Sequence, residues 1–314
     1  MKSVISDETM CKNAKRITND NYEIGELHRN KVREIKERGF FVRTGELCGR
    51  FNGVRTFIDF LEEKGGKFGG RKPEKDDSSH DTGRSSGWTK YRSFEQCTQI
   101  VKETPEKFRN FKEADIKLTE YASSGNDVDY GVVGDYIDMG RVMSGEPESF
   151  GTMRNGNVIK RFANIVVNGN HASWVKSDWI DRKAQRIARV IDFLEASNVR
   201  VKLTIVYSND NSHLELVVKQ YNDRLDINDV CVALSPDFFR RYEFYWSEHS
   251  ATHDSCYGRA ERLTMRSVRE EDVDLNILVG SCGDADVNAK FDELEKMIEE
   301  NGVETAKDYE VLVY

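Results

Sequence analysis

At 314 residues, with 38% hydrophobic and 32% charged side chains, the chain has material for one large or two modest cores and reads as a soluble globular protein. No apolar run approaches the roughly 20 residues of a membrane-spanning helix, and the polar start Met1-Lys2-Ser3-Val4-Ile5-Ser6-Asp7-Glu8 lacks the apolar core of a signal peptide, which argues against a membrane role and for the inside of a cell. A formal charge of -8 disfavours nonspecific nucleic-acid binding, and the six cysteines (Cys11, Cys48, Cys97, Cys231, Cys256, Cys282) contain no C-x-x-C pair, so neither a zinc ribbon nor a disulfide framework is expected.

Residues 1–64 read as a helical region, in which Val54, Phe57, Ile58 and Leu61 form one apolar stripe before Gly65-Gly66 ends it. Residues 65–87, rich in Gly, Ser, Lys and Asp and without apolar periodicity, read as a flexible linker. Residues 88–157 form an α-rich lead-in. It opens with a capping box at Ser93-Phe94-Glu95-Gln96, followed by Cys97, Ile100 and Val101 on one helical face. Pro105 starts a second helix carrying Phe108, Phe111, Leu118 and Tyr121, which the Ser123-Ser124-Gly125-Asn126-Asp127 cluster ends.

Residues 158–314 alternate between strand and helix patterns and form an α/β domain. Strands are expected at 160–167, 200–207, 215–220, 230–234, 275–279 and 310–314, and helices at 181–197, 236–248 and 287–300. The short polar turn 208–213 joins two strands without a crossover, so those two are expected antiparallel. The architecture is then a doubly wound, mostly parallel sheet with a hairpin edge, preceded by an α-rich N-terminal region. That order resembles the von Willebrand factor A fold, in which the first strand ends in a metal-binding loop of the form Asp-x-Ser-x-Ser and an aspartate after a later strand completes a divalent-cation site.

The first strand here, Ile165-Val166-Val167, runs into Asn168-Gly169-Asn170-His171-Ala172-Ser173. Asn168 stands at the Asp position, Asn170 at the first Ser and Ala172 at the second, with Ser173 one step on. The later strand Leu275-Asn276-Ile277-Leu278-Val279 runs into Gly280-Ser281-Cys282-Gly283-Asp284-Ala285-Asp286. Asn170, Ser173 and Asp284 are the candidate metal ligands, Mg²⁺ the ion that such oxygens take, and Asp286 a further carboxylate. The alternative is that Asp284 or Asp286 caps the following helix. Asn168, Asn170, Ser173, Asp284 and Asp286 together are the candidate ligand- or partner-binding loops.

Three other clusters compete with this site. His249, His253 and Cys256 would lie one turn apart on a helix and make a zinc trio, but the Ser, Thr and Asp between them favour a loop and no fourth ligand is near. Aromatic and basic residues from Phe238 to Trp246 would suit single-stranded bases, yet Phe238, Tyr242 and Tyr245 recur at the spacing of a packed amphipathic helix. Cys282 and His171 at two strand ends form a conceivable nucleophile pair, with nothing local to activate the thiol.

Trp88 with Ser93-Phe94-Glu95, Gly134-Asp135-Tyr136-Ile137-Asp138 with Gly145-Glu146-Pro147-Glu148, Asn168 with 182–195, and Phe239-Arg240-Arg241 together resemble an uncharacterised family of tailed-phage proteins. The resemblance implies a viral origin and a place in the cytoplasm of an infected bacterium. The expected function is a non-enzymatic protein-interaction module with an eroded metal-binding loop and a protein partner. The alternative is a metal-dependent hydrolase acting on a phosphoester through Asp284 and Asp286.

Overall fold

A computed structural model describes residues 17–18, 22–26, 47–64, 88–109, 128–133, 136–153, 161–171, 175–209, 212–250, 263–280, 287–301 and 307–311. The linker expected at 65–87 lies outside these residues. Three strands come first: β1 (Ile17–Thr18), β2 (Tyr22–Glu26) and β3 (Leu47–Asn52). The N-terminal region expected to be helical therefore supplies strands to the sheet, and among its described residues α1 (Val54–Lys64) follows the helical expectation. The reading missed β3 because Leu-Cys-Gly-Arg-Phe-Asn alternates around a glycine. Gly49 is a packing requirement, since a Cβ there would lie 2.5 Å from the Trp246 ring.

In the lead-in, α2 (Phe94–Glu103) starts at the expected N-cap, with Ser93 accepting from the Gln96 N–H; the Gln96 side chain accepts from the Arg92 N–H, one residue before the N-cap, so the box expected there closes on Arg92 instead of Ser93. Pro105 starts a 3-10 turn, Pro105–Phe108, that buries Phe108, while the rest of the helix expected through Phe111, Leu118 and Tyr121 lies outside the described residues; the elements described after it are strands. β4 (Val128–Gly131), β5 (Tyr136–Ile137) and β6 (Phe150–Met153) form a small antiparallel sheet in the order β4-β6-β5, with α3 (Met139–Met143) between β5 and β6.

The C-terminal part consists of β7 (Arg161–Asn168), α4 (Ser177–Ala196), β8 (Val199–Ser208), β9 (Ser212–Lys219), α5 (Ile227–Ala233), a helical run α6, α7 (Met265–Val268), β10 (Leu275–Val279), α8 (Val287–Asn301) and β11 (Asp308–Val311). The run α6 passes through Pro236–Phe238, a π-helical turn Phe239–Glu243 and Phe244–Ser250. The strand expected at 230–234 is helix α5. Its Val-Cys-Val-Ala run looks β-like, but Asp226 caps the preceding turn by accepting from the Asn228 and Asp229 N–H groups, and Val230 to Leu234 are all buried as helix.

Among the described residues the main sheet has eight strands in the order β1-β2-β3-β9-β8-β7-β10-β11. β8, β7, β10 and β11 are mutually parallel, β9 is antiparallel to β8 as expected for the hairpin, and β3 runs parallel to β9. The fold is thus mixed α/β with a mostly parallel sheet that winds outward from β7 and β10 in both directions. One face carries the main core, in which Ala163, Ile165 and Val167 of β7, Leu203 and Ile205 of β8 and Ile277 and Val279 of β10 meet α1, α2, α4, α5, α6 and α8. After α4 the chain reverses through Asn198 at φ 60°, a left-handed residue that closes the helix end and feeds β8.

Candidate functional site

The carboxyl ends of β7 and β10 lie side by side at the point where the winding reverses, the usual ligand position of an open α/β sheet. There β7 leads into Asn168-Gly169-Asn170-His171, four residues that fold as a tight, internally bonded turn. The Asn168 side-chain oxygen accepts from the Asn170 backbone N–H at 3.0 Å and from Asn170 Nδ2 at 3.1 Å, and Nδ2 also donates to the Ser208 carbonyl at 2.9 Å. Gly169 lies flat on Tyr207, where a Cβ would meet the ring at 2.4 Å.

Lys183 completes this cluster from α4. Its ammonium, 1% exposed as a residue, donates to the Asn168 carbonyl at 2.8 Å and to the Gly280 carbonyl at 2.7 Å, clamping the ends of β7 and β10 together. His171 is buried edge-on to Phe239 at 5.7 Å between ring centroids. Burial, and then the Lys183 charge, hold His171 well below the ordinary histidine range; the nearby Leu234 backbone opposes this without completing a hydrogen bond. The ring is therefore neutral, with neither nitrogen hydrogen-bonded.

Of the residues expected at the site, Asn168 and Asn170 are brought together; Ser173, Asp284 and Asp286 lie outside the described residues, as does Cys282. The described part does not make a cation site by itself. The Asn168 side-chain oxygen already receives two N–H groups, and an ammonium already holds the Asn168 carbonyl, so a divalent ion would meet a fixed positive charge there. Among the described residues no group of three or more His, Cys, Asp or Glu side chains is placed to hold a metal ion.

The competing clusters resolve differently. His249 is buried in α6, its ring 4.3 Å from Tyr245 between centroids and its Nδ1 2.7 Å from the Tyr245 carbonyl, while His253 and Cys256 lie outside the described residues. Phe238, Tyr242 and Trp246 are core side chains, as the amphipathic reading expects. Burial pushes the Cys231 thiol up to about 12, and the buried Cys97 thiol is raised as well, so both stay protonated and inert.

Several polar groups here escaped the sequence reading. Asp237 accepts from the Tyr91 N–H at 2.7 Å and the Lys90 N–H at 3.1 Å, Arg241 donates to the Tyr91 carbonyl at 3.0 Å, and Trp88 Nε1 donates to the Val175 carbonyl at 2.7 Å. These bonds strap residues 88–91 over α6 and the entrance to α4. Asp181 sits within reach of the same charges. Burial pushes its carboxyl up to about 6, against the Lys90 charge and with Asp237 adding to the rise. Glu243, on the π-helical turn, is buried and accepts from Asn209 at 2.9 Å and Ser247 at 2.7 Å through one oxygen, its other oxygen lacking a hydrogen-bond partner. One signal marks both Lys183 and Glu243 in the sequence: each is a charged residue inside an apolar helical stripe, Lys183 between Ile180 and Ile187, Glu243 between Phe239 and Trp246.

The fold and the strand-end turn define an α/β protein in which Lys183 joins the ends of β7 and β10. The chain belongs to the family described as Domain of unknown function (DUF7192), which matches residues 28–305. The family thus spans the N-terminal segment that supplies β3 as well as β7 to β10 of the sheet. Neither a curated protein nor a solved structure matches the chain. No described helix is long and apolar enough to cross a membrane.

Proposed function

We propose that this chain is a non-enzymatic protein-interaction module that offers the loops after β7 and β10 to a protein partner. The observation that carries the reading is the Lys183 clamp. Where a doubly wound enzyme keeps an open crevice for substrate, this chain inserts a side chain that bonds both strand ends, and the amides beside it are satisfied by one another. The strand order around β7, with its antiparallel β9, supports the likeness to a von Willebrand A-type domain, and Asn168 in place of an aspartate supports an eroded metal motif. The resemblance of its fragments to tailed-phage proteins supports a role in the infected bacterial cytoplasm.

The test is photocrosslinking from probes placed at Ser173 and at Asp286 in the full chain expressed in its host, alongside Mg²⁺ and Mn²⁺ calorimetry and turnover of a model phosphodiester. One discrete crosslinked protein, lost in Asp284→Arg, is the expected result. Metal-dependent turnover abolished in Asp284→Ala and Asp286→Ala would overturn the reading in favour of the phosphoester hydrolase.

A further inference from the structure

The large apolar side chains that stand exposed among the described residues are Val132, Val133, Ile137, Met139, Val142 and Met143, all within one twelve-residue stretch of the small sheet. Val133 is 80% exposed and Met143 84%. Met139, Val142 and Met143 stand at i, i+3 and i+4 of α3, so they share one side of that turn, and no residue of α3 is buried. An apolar helical stripe in a folded protein ordinarily covers the core; this one is turned to solvent. Ile137 continues the surface from β5, whose pairing with Phe150 of β6 fixes α3 beside the sheet, and the Asp138 N–H donates to the Ser149 carbonyl at 2.9 Å. A concentrated apolar patch of this kind marks an interaction site, and methionines suit one because their side chains adapt to the partner's shape.

The charges around the patch select the occupant. Residues 136–149 carry Asp138, Glu146 and Glu148 against the single base Arg141. Arg141 is itself committed, paired with the Glu146 carboxylate and donating from Nε to the Glu148 carbonyl at 3.0 Å. Glu146 and Glu148 are exposed. A second copy of the chain would set acid against acid, and a membrane rich in anionic lipid would be repelled. We infer that Val132, Val133, Ile137, Met139, Val142 and Met143 dock a protein segment with a short apolar face flanked by Lys and Arg.

This inference shares with the proposed function only the class of partner. It concerns different residues, so a peptide experiment can fail while the loop crosslinks succeed, and the reverse.

The test uses the full chain and a fluorescent, amphipathic 14-residue peptide of Leu and Lys, read by anisotropy, with a Leu/Glu peptide of the same pattern as control. Saturable binding of the Leu/Lys peptide is expected. It should weaken at least about tenfold in Met139→Ser/Met143→Ser and again in Glu146→Lys/Glu148→Lys, with circular dichroism and melting unchanged in the serine variant. Four peptide and sedimentation results would overturn the proposal, and a vesicle result would do so as well. The four are no binding, equal binding of the Leu/Glu peptide, affinity indifferent to both variants, and a wild-type dimer in sedimentation that the methionine variant dissolves. Sedimentation of the wild type with phosphatidylglycerol vesicles, lost in the methionine variant, would reassign the patch to a membrane.

Discussion

The two faces of the main sheet are both buried, but by opposite means. The face under α1, α4, α5, α6 and α8 is a continuous apolar core in which Phe51, Phe57, Phe238 and Trp246 meet edge to face or tilted, with ring centroids 4.8 to 5.9 Å apart. The other face has a small apolar cluster of Cys48, Val166, Val206, Leu263, Val268 and Leu278, surrounded by buried polar groups. There Ser208 Oγ lies 3.2 Å from His213 Nδ1, His213 Nε2 lies 3.2 Å from Glu215, Lys202 pairs with Glu270, and Asn164 bonds Asn276 at 3.3 Å. Apolar burial stabilises the first face through area removed from water, roughly 25 cal/mol per Å², while the second must balance the loss of hydration against each bond it makes. The first face is tolerant in detail and costly to empty; the second is specified bond by bond.

The largest expected effect breaks the apolar face. Trp246 is fully buried, touches Phe51 and Phe57, and fills the space that Gly49 leaves open. Trp246→Ala should cost about 3 to 5 kcal/mol, read as a shift in the urea midpoint with an unchanged slope. A loss below about 1 kcal/mol would mean that this face can collapse around the cavity and that its packing is loose.

Next comes Glu243, a polar group held inside the apolar side. Burial pushes its carboxyl from the usual 4.5 up to about 8, against the hydrogen bonds from Ser247 and Asn209 and with Glu248 adding to the rise. The folded state therefore keeps a proton that the unfolded chain gives up. Its contribution is fully present below about pH 4.5 and is lost as pH rises to about 8, by about 1.4 kcal/mol for each pH unit in between. Asp181, with its own raised carboxyl, titrates in the same window, so the measurement is the difference between wild type and Glu243→Gln at pH 5, 6.5 and 8. The variant should lose most of the downward slope; parallel curves would show that Glu243 is ionised in the fold.

These environments also explain which parts of the molecule could be read from the sequence. Val54, Phe57, Ile58 and Leu61, or Ile187, Ile191 and Leu194, announce their helices because water exclusion imposes the helical period on them. The hairpin of β8 and β9 was equally legible from its short polar turn. The polar face gives no such period, since Arg50, Lys202, His213 and Glu215 look like solvent-facing residues until another element covers them. Asn168 and Asn170 could be picked out as a strand-end turn, but the bonds that satisfy them come from each other and from Ser208, and the clamp comes from Lys183 in the next helix. Those contacts are set by tertiary pairing. The misread strand at 230–234 has the same origin: side-chain composition favoured β, and the Asp226 cap with the packing of α5 decided for helix.

A third prediction sharpens the contrast from the polar side. Asn276 donates to the Glu270 carbonyl at 3.0 Å and to Asp308 at 3.3 Å, and accepts from the Glu270 N–H at 2.9 Å, so it fastens the segment before β10 to the sheet. Asn276→Ala takes its partner from the half-buried Glu270 backbone groups and should cost about 1 to 3 kcal/mol, less than emptying the apolar face. Double-mutant coupling with Asn164→Ala should be strong, because the Asn164 amide that donates to Asn276 also donates to the Val268 carbonyl at 3.0 Å. Additive losses would mean that the polar face is a set of independent bonds.

The smallest expected effect concerns apolar side chains that belong to neither face. Met143 is 84% exposed and Met139 61%, and α3 buries nothing. If they serve a partner and not the fold, Met139→Ser and Met143→Ser should each change stability by no more than about 0.5 kcal/mol. Serine at these sites removes apolar area that water already reaches, so there is little burial to lose, and α3 keeps its Asp138 cap, which accepts from the Gly140 and Arg141 N–H groups. Matched urea melts of wild type and the two variants give the answer. A loss above about 1 kcal/mol at either methionine would mean that the folded chain covers this stripe itself, and the patch would then be part of the core and not a surface held out for another protein.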